Sequence, residues 1–301
     1  MPNVNVRSSP MGAFTCLCLL LALGLSGCVP SPKVEAIASS TAAAAAAGGN
    51  ESAALGADRV PTLSIDGSDL TWQIQYTGEL DLEVDVDVFN LDLIETPPAA
   101  IEALHRKGVY VICYFSAGSW EDWRPDAEAF PGEVLGQSLK GWPGERWLDI
   151  SLLDLLTPIM EGRLDLAVDK GCDGVDPDNV DGYQNETGFA LQAQDQLAYN
   201  IFLSEAAHRR GLAIGLKNDL DQIHDLLPYF DWVLNEECFS YGECAQLVPF
   251  RESGKPVFII EYVLPPEAFC PEANRVGFNA IRKNLELDAY RVDCHSISAG
   301  F

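Results

Sequence analysis

The sequence predicts an α/β fold, a single (β/α)8 barrel of the TIM type, and three observations carry that prediction. Strand-like apolar segments recur eight times between residues 70 and 294. Most are separated by amphipathic stretches or long loops, and strands alternating with helices argue for parallel pairing. Eight such units suffice to close a barrel. No Gly-x-Gly-x-x-Gly follows the first strand, which disfavours the competing doubly wound open sheet.

Residues 70–76 (LTWQIQY) alternate apolar and polar, as a half-buried strand does. Residues 84–93 (VDVDVFNLDL) alternate again. Pro97-Pro98 opens a helix over 99–106, and Gly108 follows its end. The continuous run at 109–115 (VYVICYF) reads as a strand covered on both faces. Residues 116–149 form a long insertion holding Trp120, Trp123, Trp142 and Trp147, four of the six tryptophans. Exposed, they would suit stacking on sugar rings; buried, they would fill a private core of the loop. Residues 151–168 have helical spacing.

The stretch 171–183 (GCDGVDPDNVDGY) begins as strand four and ends in carboxylates broken by Pro177, which cannot donate to a sheet ladder. Asp176 and Asp178 are two apart and share a face. With Val175 facing the helix layer, both acids face the barrel interior. A carboxylate pair there is costly unless paired, solvated or used for chemistry. Taken alone, the stretch reads equally well as a solvated acidic turn. A helix over 192–210 stops at Gly211. Then come a strand (212–218), a helix (221–227), a strand (232–238), a short helix (245–252) and a strand (256–262). A helix over 275–286 and a strand over 289–294 complete the pattern.

The first residues are not part of the fold. Arg7, an apolar run over 14–25 and Leu-Ser-Gly-Cys at 25–28 have the layout of an export signal. The ending resembles a bacterial lipobox, which implies a signal peptide over 1–27 and lipidation at Cys28; an ordinary secretory signal is the alternative. Residues 28–58 are rich in Ala, Ser and Gly and read as a disordered tether. The catalytic or binding domain is then 59–301, exported to the cell envelope and touching the membrane only through its anchor.

The chain carries 19 Lys plus Arg against 45 Asp plus Glu, a formal charge of −26. Nucleic acid is an implausible partner for such a chain. Six cysteines follow Cys28, an even number that permits three disulfides in an exported protein. Cys238 with Cys244 and Cys270 with Cys294 are the candidate bridges, while Cys113 and Cys172 read as buried thiols. The four histidines show no metal spacing, no cofactor motif occurs, and Ser116 lacks the glycines of a nucleophile elbow.

Chemistry in such a barrel is built at the C-terminal strand ends. Those positions are Gln75 and Tyr76, Asn90 and Asp92, Tyr114 and Ser116, Asp176, Asp178 and Asn179, then Lys217, Asn218 and Asp219. Asn235, Glu236 and Glu237, Glu261 and Tyr262, and Asp293 and His295 follow. Its strong acids and bases are carboxylates, the requirement of glycoside hydrolysis. From Trp72 to Cys294 the chain resembles the endo-α-1,4-polygalactosaminidases, glycoside hydrolase family 114. The matching pieces are Trp72-Gln73-Ile74-Gln75, Tyr114 to Glu121 (YFSAGSWE), Gly174 to Asp181 (GVDPDNVD), Gly215-Leu216-Lys217-Asn218 and Asn235-Glu236-Glu237-Cys238. Ile74 stands where the family often has a second tryptophan.

The resemblance implies Asp178 as nucleophile and Glu236 as acid/base, the latter held protonated by apolar neighbours such as Trp232 and Leu234. Glu237 is expected to point away and is the rival for that role. Asp176 would bind substrate or tune Asp178, and Lys217 would pair with a site carboxylate. The implied substrate-binding set is Trp72, Gln75, Asp92, Tyr114, Ser116, Asp176, Asn179, Lys217, Asn218, Glu237 and Tyr262. The implied substrate is a cationic, partly N-acetylated α-1,4-galactosamine polymer. A sugar-binding lipoprotein without turnover and a glycosidase for another α-linked glycan are the competing expectations.

Overall fold

The computed structural model describes residues 69–297. The signal peptide, Cys28 and the tether lie outside the described residues. The chain runs β1 (Trp72–Gln75), β2 (Val88–Asp92), α1 (Pro98–Arg106), β3 (Tyr110–Ser116), β4 (Ser119–Glu121), β5 (Leu135–Ser138) and β6 (Glu145–Leu148). It continues through α2 (Leu153–Lys170), β7 (Gly174–Asp178), α3 (Ala193–His208), β8 (Ala213–Lys217), α4 (Ile223–Leu226), β9 (Trp232–Glu236), α5 (Cys238–Tyr241) and α6 (Val248–Glu252). It ends with β10 (Val257–Glu261), α7 (Pro266–Val276), β11 (Asn279–Arg282) and β12 (Val292–Asp293).

The main sheet has the order β1-β2-β3-β7-β8-β9-β10-β11-β12, parallel throughout except for the last, antiparallel pair. Strands β4, β6 and β5 form a separate antiparallel sheet within the insertion. Side chains, rather than a ladder, draw β1 to β11. The Leu70 N–H and the Trp72 indole N–H donate to the Asn279 side chain and carbonyl, each at 2.9 Å. Buried Lys283 donates to Gln73 Oε1 at 2.9 Å and to the Asp288 carbonyl at 2.7 Å. The result is a nearly closed α/β barrel.

Strand parity divides the core in two. Trp72, Ile74, Val88, Ile112, Trp232, Leu234, Phe258 and Ile260 pack together inside the barrel. Phe89, Leu91, Val111, Val175, Val233 and Ile259 pack outward with the helices. Trp232 fills the barrel floor because two strands yield to it. A Cβ on Gly174 would lie 2.6 Å from its ring, and one on Gly215 would lie 2.0 Å from its indole nitrogen.

Two sequence expectations need correction. The last helix is not 275–286 but α7, and the eighth parallel strand is the four-residue β11; the expected strand over 289–294 is present only as the two-residue, antiparallel β12. Pro265-Pro266 opens α7 as Pro97-Pro98 opens α1, and Gly277 at φ 74° ends it. A strand as short as β11 leaves no periodic trace in sequence. The cysteine assignment also changes. Cys238–Cys244 and Cys270–Cys294 are bonded, and so are Cys113 and Cys172, expected to be thiols. Cys113 faces outward on β3, Cys172 lies just before the neighbouring β7, and their Cα atoms are 6.0 Å apart.

Candidate active site

Strands β7, β8 and β9 end alike. Each finishes on an inward charged residue, Asp178, Lys217 or Glu236, followed by a residue in the left-handed region. These are Asn179 (φ 60°), Asn218 (φ 52°) and Glu237 (φ 64°). Asparagine tolerates that conformation better than most residues. The turn breaks the ladder immediately beyond the charge and leaves three charged ends side by side at the barrel mouth.

Lys217 sits between the two acids. Its Nζ lies 3.2 Å from Asp178 Oδ1 and 3.4 Å from Glu236 Oε2, with the lysine side chain only 3% exposed. Burial alone would depress its pKa, but Asp178, Glu236 and Asp176 outweigh burial and hold the ammonium charged. Tyr262 donates its hydroxyl to Glu236 Oε1, the Asn179 N–H donates to Asp178 Oδ1 at 2.8 Å, and the Glu236 N–H donates to Asn218 Oδ1 at 3.0 Å. The Glu236 oxygens therefore meet donors, not the apolar Trp232 and Leu234, which lie deeper in the barrel.

A cleft of about 520 Å³ opens over this group. Tyr114, Asp178, Asn179, Lys217, Asn218, Glu236 and Tyr262 line it. The remaining sequence candidates lie elsewhere, for separate reasons. Trp72 faces inward but packs in the apolar floor. Gln75 braces the loop after β1, donating to the carbonyls of Thr77 and Glu79. Asp92 is clamped by both terminal nitrogens of Arg124, at 3.0 and 2.7 Å. Glu237 leaves the strand to precede α5, where burial and the Glu261 carboxylate raise its pKa.

Asp176 and Ser116 are fully buried beneath the cleft. Asp176 accepts from Asn90 Nδ2 at 2.8 Å, and Tyr76 donates to Asn90 Oδ1 at 3.1 Å. Burial raises Asp176 to about 6; Lys217 opposes this and Asp178 adds to it. Ser116 and Ser119 accept from Asn179 Nδ2 at 2.9 and 3.2 Å, and so fix the residue after Asp178. Gly118 admits that approach, since a Cβ on it would lie 1.7 Å from the Asn179 carbonyl oxygen.

The cleft also holds groups outside the implied substrate-binding set. Trp142, half exposed, and Trp147, buried, line it from the insertion, with Glu145. Trp120 instead braces the insertion, donating to the Ala127 carbonyl at 3.0 Å. Burial, helped by Glu121 and Asp178, raises Glu145 to about 7, although a Ser119 hydrogen bond opposes it. Burial and Asp178 raise Asp181 to about 6. Asp181 was visible in the acidic stretch after β7. Glu145 had no local signal, because its place depends on how the insertion folds back.

A family model described as glycoside-hydrolase family GH114 matches residues 52–299. The crystal structure of Aspergillus fumigatus Ega3 in complex with galactosamine is similar at a TM-score of 0.71 with 41% sequence identity. That similarity covers 76% of this chain and 96% of the other. The glycoside hydrolase domain of PelA from Pseudomonas aeruginosa shares the fold at a TM-score of 0.60 and 16% identity, covering 74% of this chain and 97% of that one. An uncharacterised protein of Deinococcus radiodurans is 29% identical over 224 residues, 66% of this chain and 70% of its own length.

Proposed function

The chain belongs to glycoside-hydrolase family GH114, and from that premise we propose that it cleaves partly N-acetylated α-1,4-galactosamine polysaccharide internally through Asp178 and Glu236. The observation that carries this reading is the pair of carboxylates held on one buried ammonium. Asp178 attacks the anomeric carbon as Glu236 gives a proton to the departing glycosidic oxygen. Water, deprotonated by Glu236, then releases the sugar from Asp178. Lys217 keeps both acids in register, and Tyr262 orients Glu236.

The two contacts of 3.2 and 3.4 Å cap the separation of the bridged oxygens at their sum. That cap falls at the lower edge of the separation inverting enzymes use, about 6.5–9.5 Å, and accommodates the retaining value of about 5–5.5 Å. The pair is therefore compatible with the retention of anomeric configuration that we propose. Ega3, described in complex with galactosamine, supports the substrate class.

The test is reducing-end release from a partly deacetylated α-1,4-galactosaminan by the full chain, Asp178→Asn and Glu236→Gln. Wild-type release, falling at least about 10³-fold in each variant, is the expected outcome. Proton NMR of the first product should show the α anomer. Binding without release by the wild type would replace this reading with that of a sugar-binding protein. Cleavage of a different α-linked glycan alone would change the substrate. Three disulfides suit an oxidising compartment and support export, with Cys28 as the anchor in our proposal. Loss of membrane association in Cys28→Ser tests the anchor.

A further inference from the structure

The cleft is lined by the carboxylates of Glu145, Asp178, Asp181, Glu186 and Glu236, against the cations Lys140 and Lys217. Asp178 and Glu236 share Lys217, Glu186 is open to water, and Asp181 receives an N–H from Asn185 at 3.3 Å. Glu145 is placed differently. It begins β6 directly across the antiparallel pair from Glu121, and it is 7% exposed. Like charges directly opposed across strands repel. Glu121 is compensated by Arg124 at 2.8 Å, and Arg124 is also bound to Asp92 at 2.7 Å. Arg124, the cation that acts on Glu145 through space, is thus already engaged.

Glu145 Oε2 takes the Ser119 hydroxyl at 2.7 Å, which leaves Oε1 for a ligand in the cleft. Ser119 also accepts from Asn179, whose backbone N–H binds Asp178. Glu145 is thereby linked to the nucleophile through Ser119 and Asn179.

We propose that Glu145 is the contact for the cationic amine of an unacetylated sugar unit, making it a specificity-determining residue. The proposal rests on the galactosaminidase reading above. A carboxylate desolvated without a cation is disfavoured in the empty cleft, and an incoming ammonium supplies the missing charge. An acetamido group is neutral and cannot. Binding an amine-bearing unit should therefore draw a proton off Glu145, whose pKa burial has already raised to about 7. The groups acting on it are Glu121 and the Ser119 hydroxyl from β4, Arg124 just after it, Asp178 from β7 and Tyr114 from β3.

The test compares the full chain with Glu145→Gln on fully deacetylated and fully re-N-acetylated α-1,4-galactosaminan. The expected result is a loss of about ten- to a hundredfold in kcat/KM on the deacetylated polymer, carried by KM. On the acetylated polymer the two proteins should agree within about twofold. The wild-type preference for deacetylated substrate should rise from pH 5 to 7, and Glu145→Gln should abolish that rise. Equal losses on both polymers would make Glu145 a support for Asn179 and overturn the proposal. An unchanged preference, or its loss in Asp181→Asn instead, would also overturn it. Calorimetry of galactosamine binding in two buffers of different ionisation enthalpy separates this from a failed functional reading. Proton release by the full chain, absent in Glu145→Gln, would support the contact even if neither polymer were cut; absence of release from both would refute it.

Discussion

Glu236 and Glu145 line one cleft, one from the barrel and one from the insertion, and their settings differ. Glu236 ends a barrel strand, receives the Tyr262 hydroxyl and shares the Lys217 ammonium with Asp178. Glu145 starts a strand of the insertion, opposes Glu121 and has a serine hydroxyl as its hydrogen-bond donor. On the barrel wall an ammonium already sits between the two acids before substrate arrives; among the described residues Glu145 on the insertion wall is in no ion pair. The barrel wall is therefore preorganised for chemistry, and the insertion wall is left for a ligand to complete. The same residue type does two jobs because its neighbours differ.

Lys217→Met breaks this comparison most strongly. It leaves two adjacent carboxylates uncompensated, so the barrel wall becomes like the insertion wall. Stability should fall by about 3 kcal/mol near neutral pH, the low end for a broken buried pair because Asp178 and Glu236 are partly exposed. Activity should fall by about 10³-fold or more, in kcat rather than KM. Chemical denaturation measures the penalty, and a loss well under about 1 kcal/mol would refute the clamp.

Tyr262→Phe is a gentler cut at the same wall. It removes one donor from Glu236 and leaves Lys217 in place, so kcat should fall by about ten- to a hundredfold. The preference between acetylated and deacetylated polymer should not move, because that preference belongs to the other wall. A changed preference would show that the two walls are not independent. Trp142→Ala probes the insertion side without touching charge. Its half-exposed ring borders the cleft, so its loss should raise KM about three- to tenfold with kcat unchanged. Steady-state kinetics on long polymer distinguishes this from a loss in kcat.

Much of the barrel wall was legible because strand parity and strand ends are local properties. The strand ends that carry Asp178, Lys217 and Glu236 follow from a period of two and from where each apolar run stops, while the choice of Asp178 and Glu236 among their neighbours came from the family resemblance. Parity does not report depth. Trp72 points inward as expected, yet it sits in the floor rather than at the mouth. Asp92 also faces the rim, but Arg124, early in the insertion and 32 residues away in sequence, claims it. The insertion wall was not legible, since β4, β5 and β6 have three or four residues each and pair antiparallel across long loops. The Cys113–Cys172 bridge, 59 residues apart, escaped for a similar reason: it joins strands that are neighbours only in the folded sheet.

Asp219 extends the contrast into stability. It follows Asn218, is 1% exposed, and adopts φ 44°. Asn200 donates to its Oδ2 at 2.9 Å, but burial, then Asp181, raises its pKa from 3.8 to about 8. The folded chain thus binds a proton here that the unfolded chain has lost between those values. Stability must fall as pH rises through that window, because the native state holds more protons than the unfolded one. Asp219→Asn removes the titration, keeps an acceptor for Asn200 and suits the left-handed backbone. The two proteins should have similar melting temperatures near pH 4.5. At pH 8 the variant should be the more stable, by on the order of 1–2 kcal/mol. Asp176 and Asp181, each raised to about 6, and Glu145, raised to about 7, should leave it a residual downward slope that flattens only above about pH 8. Parallel melting curves across the whole range would mean that Asp219 does not carry the pH dependence assigned to it.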